Sequence, residues 1–231
     1  MMRGIAFNKF MDSTSIPFVG ENVLQYVMNG TKVKIPKGII VECGVYEGET
    51  LKRIAKTFPN RKIYGCDSFE GLPEKWDRSD LEMNAGAFGT DGKMPDVPDN
   101  VVLIKGWFYD TMPELSKTIW KERLITRPDG KMGTKGNKIA LLHVDCDLYS
   151  STKCVFDNLS KHFHEDMVVV FDELLNYPGY ENHEFLALFE YVQCHGLDVE
   201  WLAIESAEHQ SVALKFKKKH APTLTHQLLL A

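Results

Sequence analysis

The hydrophobic positions along the chain form two alternating patterns, short continuous apolar runs and longer stretches with helical spacing. The continuous runs predict strands at 38–44, 62–67, 100–106, 138–147 and 167–173. The helical spacing predicts helices at 49–58, 112–120, 151–163 and 182–196. Strands that are apolar on both faces and separated by helices indicate a parallel sheet covered by helices on each side. We therefore predict a single α/β domain with a doubly wound, Rossmann-like sheet over residues 1–231.

Several segments lie outside this alternation. Residues 1–37 are predicted to form an N-terminal helical extension, irregular over 1–15 and helical over 16–28. The segment 73–99 is rich in Gly, Pro, Asp and Met and longer than most connections, which is typical of a lid or binding insert. Residues 126–137 are predicted to form a flexible loop. Two last strands, at 198–204 and 211–217, predict a hairpin that adds an antiparallel strand to the sheet.

Composition narrows the class of protein only slightly. The chain has 231 residues, a net charge of -5 and an apolar fraction of 44%. This balance gives no sign of nucleic acid or an anionic membrane as a partner. Five cysteines without a C-x-x-C pair indicate reduced thiols, and no apolar run approaches the roughly 20 residues of a membrane span. We therefore expect a cytoplasmic protein.

The turn after the first predicted strand has features of a nucleotide-binding loop. Gly44 and Gly48 follow Glu42 there, and glycine lets the backbone approach a ligand closely. The spacing lacks the third glycine of G-x-G-x-x-G, the motif that binds pyrophosphate. Asp67 ends the second predicted strand, where an acid suits the two hydroxyls of a ribose. A nucleoside without pyrophosphate favours S-adenosylmethionine, and a plain strand-to-helix turn is the alternative interpretation of the glycines.

Carboxylates follow the fourth and fifth predicted strands, at Asp145, Asp147, Asp172 and Glu173. Four acids at one edge repel one another unless a cation is bound or one of them takes up a proton. Oxygen ligands without Cys-His spacing favour Mg²⁺ over zinc. If the strand stays extended, Asp145 and Asp147 share a face, so one can bind metal while the other accepts a proton. The alternatives are a helix N-cap for Asp147 and a hydrogen-bonded core position for His143.

An ordered set of motifs resembles the macrocin O-methyltransferase family, whose members include enzymes that methylate deoxysugars of macrolides and related antibiotics. The resemblance runs from about residue 38 to 192. Its motifs are VECGVYEGET, GCDSFEGLPE, KGWFYDTMPEL, HVDCDLYSSTK and VVVFDELLNYPGYENHEF. The resemblance implies a class I methyltransferase fold, a seven-stranded sheet of order 3-2-1-4-5-7-6 with the last strand antiparallel. It implies S-adenosylmethionine and Mg²⁺ as cofactors.

The resemblance also implies roles for individual residues. Asp147 matches the position of the general base. The implied metal ligands are Asp145, Asp172 and Glu173. The implied cofactor contacts are Glu42, Gly44, Tyr46, Gly48, Thr50, Asp67, Ser68, Phe69, Gly106, Trp107 and Asp145. The antibiotic enzymes typically carry Asp-Asp where this chain has Asp172-Glu173, so whether the longer Glu173 binds the metal directly is left open.

The sequence therefore predicts an S-adenosylmethionine-dependent, Mg²⁺-dependent O-methyltransferase that acts on a hydroxyl of a small molecule, a sugar or glycosylated metabolite. A homo-oligomer is left open. A nicotinamide-dependent oxidoreductase is the first alternative, disfavoured by the missing third glycine and the absence of a suitably placed Tyr-x-x-x-Lys pair. A non-catalytic S-adenosylmethionine-binding module is the second, disfavoured because clustered acids without a function cost stability.

Overall fold

The computed structural model describes residues 17–126, 132–134, 138–208 and 210–219. Eight strands form the central sheet in the order β1-β11-β12-β10-β9-β2-β3-β6, and two short antiparallel pairs, β4-β5 and β7-β8, lie apart from it. The strands are β1 (Phe18–Val19), β2 (Ile39–Cys43), β3 (Ile63–Asp67), β4 (Trp76–Arg78), β5 (Leu81–Met83), β6 (Val101–Lys105), β7 (Leu124–Thr126), β8 (Met132–Thr134), β9 (Ile139–Val144), β10 (Phe163–Phe171), β11 (Leu197–Glu205) and β12 (Val212–Lys218).

The predicted fold class and strand order are confirmed. From β6 to β11 the sheet runs through the predicted strands in the order 3-2-1-4-5-7-6. Strand β12 is antiparallel to both β10 and β11, whereas β9, β2, β3 and β6 are mutually parallel. The carboxyl ends of β2, β3, β6, β9 and β10 therefore meet at one edge, which is where the predicted site residues lie.

The predicted helix at 16–28 is wrong at its start. Helix α1 covers only Val23–Met28, and the Asn22 side chain caps it by accepting a hydrogen bond from the Gln25 amide at 3.1 Å. Phe18–Val19 instead forms β1, an eighth strand parallel to β11. The open edge of β11 offers unpaired backbone groups, and pairing with them outweighs the helical spacing of the apolar residues. Residues 1–16 lie outside the described part of the chain.

Helices cover both faces of the sheet. They are α1 (Val23–Met28), α2 (Glu49–Thr57), α3 (Phe108–Arg123), α4 (Tyr149–Leu159) and α5 (Glu184–Cys194), with 3-10 turns at Ser160–His162 and Tyr180–Asn182. One apolar cluster joins α3, α4 and α5 to the sheet, and a second joins α1 and α2 to the opposite face. Alternate residues of β2 enter the two clusters, Val41 the first and Ile40 the second, as expected for a strand buried on both sides.

The 73–99 insert contains the β4-β5 hairpin, which sequence analysis did not predict. The hairpin packs onto the body of the domain through a small apolar cluster of Leu72, Trp76, Leu148 and Tyr177. The role of the insert as a lid stays a prediction.

The predicted loop at 126–137 begins inside the β7-β8 pair, and 127–131 and 135–137 lie outside the described residues, as do 209 and 220–231. Among the described residues, no helix combines the length and apolar character needed to cross a bilayer.

Candidate active site

A cavity of about 550 Å³ lies beyond the carboxyl ends of the parallel strands. Ligands bind at this edge in open parallel sheets. The lining comes from the loops after β2, β3, β6, β9 and β10, from the start of α4 and from the insert. It consists of Gly44, Val45, Tyr46, Asp67, Ser68, Gly71, Leu72, Pro73, Glu74, Phe88, Gly106, Trp107, Phe108, Tyr109, Asp145, Cys146, Asp147, Ser150, Ser151, Cys154, Asp172 and Glu173.

Gly44 lies where the loops after β2 and β9 cross. A Cβ added to this residue would lie 1.6 Å from the carbonyl oxygen of Asp145, and its φ of 91° is one that other residues rarely adopt. The Asp145 amide donates to the Cys43 carbonyl at 2.9 Å, and the Gly44 amide donates to the Cys66 carbonyl at 3.0 Å. Glycine is therefore required here for the close approach of two loops, in addition to any contact with a ligand.

Asp67 holds the loop that follows β2. Its Oδ2 accepts hydrogen bonds from the amides of Val45 at 2.7 Å and Tyr46 at 2.9 Å, and its Oδ1 accepts one from the amide of Phe69 at 2.7 Å. Tyr46 and Phe69 both have positive φ, 51° and 60°. Each carboxylate oxygen carries two lone pairs, so acceptor capacity remains for a ligand. The predicted contact with a ribose stays a prediction.

The predicted cofactor residues divide into two groups. Those in the cavity lining are Gly44, Tyr46, Asp67, Ser68, Gly106, Trp107 and Asp145; those outside the lining are Glu42, Gly48, Thr50 and Phe69.

Glu42 is 1% exposed, and its Oε1 accepts a hydrogen bond from Nδ1 of His143 at 2.9 Å. Burial alone would lower the pKa of His143, but the hydrogen bond and charge of Glu42 raise it to about 9. His143 is thus a core residue, as its alternative interpretation predicted.

The predicted carboxylates lie together in the cavity. One oxygen each of Asp145, Asp147 and Glu173 lie within 4.8 Å of one another. Asp172 lines the cavity but is not a member of this group. Burial, followed by the negative charge of Asp172, raises the pKa of Asp147 to about 7 and that of Glu173 to about 9. The same causes raise the pKa of Asp145 well above its ordinary value, so these acids repel one another.

Asp147 does not have the extended backbone that strand alternation assumed. Strand β9 ends at Val144, and Asp147 has a φ of 64°, in the left-handed region. Leu148 occupies the N-cap position of α4, so the alternative interpretation of Asp147 as the cap is wrong. Asp147 is 7% exposed and lines the cavity.

Sequence analysis missed Glu184, the first residue of α5. Its carboxylate is fully buried and accepts hydrogen bonds from the backbone of Cys146 and Asp147. Acids are common in the first turn of a helix because of the helix dipole, so its position carried no distinguishing signal. Its partners are about 37 positions earlier in the chain, and no local pattern reveals such a contact.

The insert closes one side of the cavity. Glu74 accepts a hydrogen bond from Ser150 at the start of α4 at 2.6 Å, and the rings of Phe88 and Tyr46 meet edge-to-face with centroids 6.1 Å apart. Of the aromatic and methionine side chains in the insert, Phe88 lines the cavity, while Trp76, Met83 and Met94 lie outside the lining. The segment 177–180 also lies outside the lining and packs against Trp76 and Phe185.

Arg78 attaches the β4-β5 hairpin of the insert to the rest of the domain. Its guanidinium lies 4.6 Å from the ring centroids of both Trp76 and Tyr177, and it donates two hydrogen bonds to Asp80 at 2.9 and 2.8 Å. The side chain is 5% exposed. A guanidinium that lies over two aromatic rings and pairs with a carboxylate is a stable arrangement. The hairpin is therefore fixed to the 177–183 segment at this point.

The chain is similar in sequence to known methyltransferases. The family described as Methyltransferase domain matches residues 41–174. A curated relative from Streptomyces olivaceus, 8-demethyl-8-(2,3-dimethoxy-alpha-L-rhamnosyl)-tetracenomycin-C 4'-O-methyltransferase, is 25% identical over 170 residues. The match covers 65% of this chain and 58% of the relative, so the chain spans little more than half of that protein's length.

Solved structures with the same fold include the methyltransferases CalS11 and NovP. The calicheamicin methyltransferase CalS11 superposes with a TM-score of 0.57 and 21% identity, over 84% of this chain and 75% of that one. The O-methyltransferase NovP superposes with a TM-score of 0.54 and 20% identity, over 85% and 76% of the two chains. Identities this low show a shared fold.

Proposed function

The chain belongs to the Methyltransferase domain family, and on that premise we propose that it is an S-adenosylmethionine-dependent O-methyltransferase acting on a hydroxyl of a sugar or glycosylated metabolite. The proposal rests on one observation: a loop suited to a nucleoside and a group of carboxylates line the same cavity. The loop of Gly44 and Asp67 forms one rim, and the carboxylates of Asp145, Asp147 and Glu173 lie beside it.

The first rim is proposed to bind the methyl donor. S-adenosylmethionine would supply a methyl group on a positively charged sulfur, an electrophile that requires an oxygen nucleophile placed in line. Gly44 and Trp107, the latter in the loop after β6, both line this cavity. These residues suit an adenosine and an amino-acid group better than a pyrophosphate, for which the third glycine is missing.

The acids are proposed to activate the acceptor. Asp147 accepts the proton of the acceptor hydroxyl as the oxygen bonds to the methyl carbon and the methyl–sulfur bond breaks, which would release S-adenosylhomocysteine. This is general base catalysis. Asp145 and Glu173 suit a magnesium ion because their oxygens, with that of Asp147, lie within 4.8 Å and are all hard ligands. Bound Mg²⁺ would supply positive charge that offsets the repulsion among the acids and favours the deprotonated hydroxyl.

The charge of the cavity supports an uncharged, hydroxyl-rich acceptor. Six acids line the cavity, and its described lining holds no Lys, Arg or His; the acids are Asp67, Glu74, Asp145, Asp147, Asp172 and Glu173. Carboxylates accept hydrogen bonds from sugar hydroxyls and repel anionic groups. The curated tetracenomycin relative is named for methylating a rhamnosyl group. A glycoside is thus the acceptor class that we propose.

The test is methyl transfer by the purified protein from S-adenosylmethionine to a panel of uncharged glycosides, compared with Asp147→Asn. We expect the variant to lose about 100- to 10,000-fold in kcat because the base is removed. Its affinity for S-adenosylhomocysteine should change less than about threefold, since the donor rim is untouched.

Asp157→Asn is the matched control, because Asp157 is an exposed acid of α4 that pairs with Lys153 outside the cavity. It should keep wild-type turnover. Unchanged kcat in Asp147→Asn would remove Asp147 as the base. Absence of transfer to every glycoside by the wild type, despite tight S-adenosylhomocysteine binding, would refute the acceptor class.

A further inference from the structure

Glu184 is a fully buried acid that lies outside the lining of the cavity. Burying a carboxylate is unfavourable unless hydrogen bonds compensate, and here three other acids lie nearby. Such a residue is expected to be retained only for what its hydrogen bonds do. Its partners therefore indicate its role.

The hydrogen bonds that the Glu184 carboxylate accepts in the described structure come from residues 146–152, the segment that carries Asp147. Its Oε1 accepts from the amide of Asp147 at 3.1 Å, from the amide of Cys146 at 3.4 Å, from the hydroxyl of Thr152 at 3.4 Å and from the thiol of Cys146 at 3.7 Å. The amide of Leu148 donates to the Cys146 carbonyl at 2.6 Å, which closes a tight turn. Two consecutive amides directed at one carboxylate oxygen form the concave arrangement that binds anions in many proteins.

Asp147 needs this support because of its backbone. Its φ of 64° lies in the left-handed region, which costs free energy for any residue with a Cβ and persists only when the surroundings impose it. The carboxylate that this backbone carries is one of the three whose oxygens lie within 4.8 Å of one another, with those of Asp145 and Glu173. Glu184 therefore binds the backbone amide of Asp147, the residue whose own carboxylate has to be positioned.

We propose that Glu184 is a positioning residue, which holds the Cys146–Asp147 turn so that the Asp147 carboxylate points at the acceptor. The expected effect on kcat rests on the proposed function, whereas the expected effect on the backbone of Asp147 does not. The competing explanation is that Glu184 only supplies negative charge to the N-terminus of α5. The two explanations differ in which property of the side chain matters, its reach or its charge.

Two substitutions at Glu184 separate the effect of the side chain's length from the effect of its charge. Glu184→Gln keeps the length and an acceptor oxygen but removes the charge, whereas Glu184→Asp keeps the charge but withdraws the oxygens by one methylene. We expect Glu184→Gln to retain at least about a third of wild-type kcat and Glu184→Asp to lose about 100-fold, as for misplaced catalytic groups. The KM for the acceptor and the affinity for S-adenosylhomocysteine should change less than about threefold in both.

Glu190→Asp is the matched control, since Glu190 lies on the same helix and accepts a hydrogen bond from Tyr149 at 2.8 Å without contacting the Asp147 turn. It should keep wild-type kcat. The reverse order, with Glu184→Asp active and Glu184→Gln inactive, would overturn the proposal in favour of the charge. Equal kcat values in wild type and Glu184→Asp would overturn it as well.

Amide hydrogen exchange provides a readout that needs no turnover. In NMR spectra of the whole chain, the Asp147 amide should exchange at least about tenfold faster in Glu184→Asp than in wild type or Glu184→Gln, because its acceptor is lost. The amide of Val169 in β10 should be unchanged, which reports an intact fold. Unaltered exchange at Asp147 in Glu184→Asp would refute the positioning role, even if the protein methylates no glycoside.

Discussion

At the scale of single residues, two carboxylates hold the backbone of two loops that line the cavity. Asp67 accepts hydrogen bonds from consecutive amides of the Val45–Tyr46 loop, and Glu184 does so for the Cys146–Asp147 turn. In both loops a residue other than glycine has positive φ. In each loop two consecutive amides donate to one carboxylate oxygen, and these two hydrogen bonds offset part of the cost of the residue with positive φ.

The identity of the metal ligands is testable through single residues. Asp145 belongs both to the implied ligand set and to the observed oxygen group, whereas Asp172 belongs only to the implied set. We expect Asp145→Asn to weaken Mg²⁺ binding at least about tenfold and Asp172→Asn to weaken it less than about threefold, by calorimetry with S-adenosylhomocysteine present. Equal losses in both variants would show that Asp172 is a ligand, as the resemblance implied.

A buried histidine predicts how stability depends on pH. Burial, with the charges of Lys161 and Arg123, lowers the pKa of His162 to about 4, and its Nε2 pairs with the Ser116 hydroxyl at 2.9 Å. Between about pH 6.5 and pH 4 the unfolded chain binds this proton and the folded chain does not, so stability falls as pH falls through that range.

His162→Gln should lose less stability than wild type between pH 7 and pH 5, measured by urea unfolding at both values. The glutamine keeps a polar partner for Ser116 but cannot take up a proton in this range. The exposed His195 provides the control, and His195→Gln should reproduce the wild-type difference. If His162→Gln were as acid-sensitive as wild type, His162 would not contribute to the pH dependence.

At the scale of elements, the β4-β5 hairpin is expected to depend on Arg78 for its attachment. Arg78→Lys loses the planar group that lies over the rings of Trp76 and Tyr177 and pairs with Asp80 through two hydrogen bonds. We expect the free energy of unfolding to fall by about 1–3 kcal/mol and proteolysis of the insert to accelerate. Lys75→Ala, at a neighbouring exposed position, should stay within about 0.5 kcal/mol of wild type. Wild-type stability in Arg78→Lys would contradict the anchoring role.

The elements also show what a sequence can predict. Buried strands of five or more residues, such as β2 and β10, have enough apolar positions to be recognised, and parallel pairing brings their following acids to one edge. Strand β1 has only two residues, too few for any periodicity, and exists because it pairs with β11. The orientation of Asp147 was not predictable from alternation, since the strand ends three residues earlier and Glu184 sets the backbone from elsewhere in the chain.

At the scale of the whole molecule, ligand binding is expected to distinguish the proposed enzyme from an oxidoreductase. A ligand at about 100 times its Kd stabilises the folded state by about 2.7 kcal/mol, which raises Tm by about 5–10 °C for a chain of this size. S-adenosylhomocysteine should produce this shift in thermal unfolding, and NADH should produce none. A shift with NADH and none with S-adenosylhomocysteine would reverse the assignment.

The path of the Val45–Tyr46 loop in the donor rim is set by the Asp67 carboxylate, which lies 21 or more positions later in the chain. Asp67 binds the backbone amides of Val45 and Tyr46, so substitutions at Tyr46 that keep the amide and tolerate its φ of 51° are expected to leave the path of the loop unchanged. Tyr46 is 44% exposed at the mouth of the cavity and meets the insert through Phe88. Evolution, or a library built by directed mutagenesis at Tyr46 and Phe88, can therefore diversify the entrance without redesigning the scaffold beneath it.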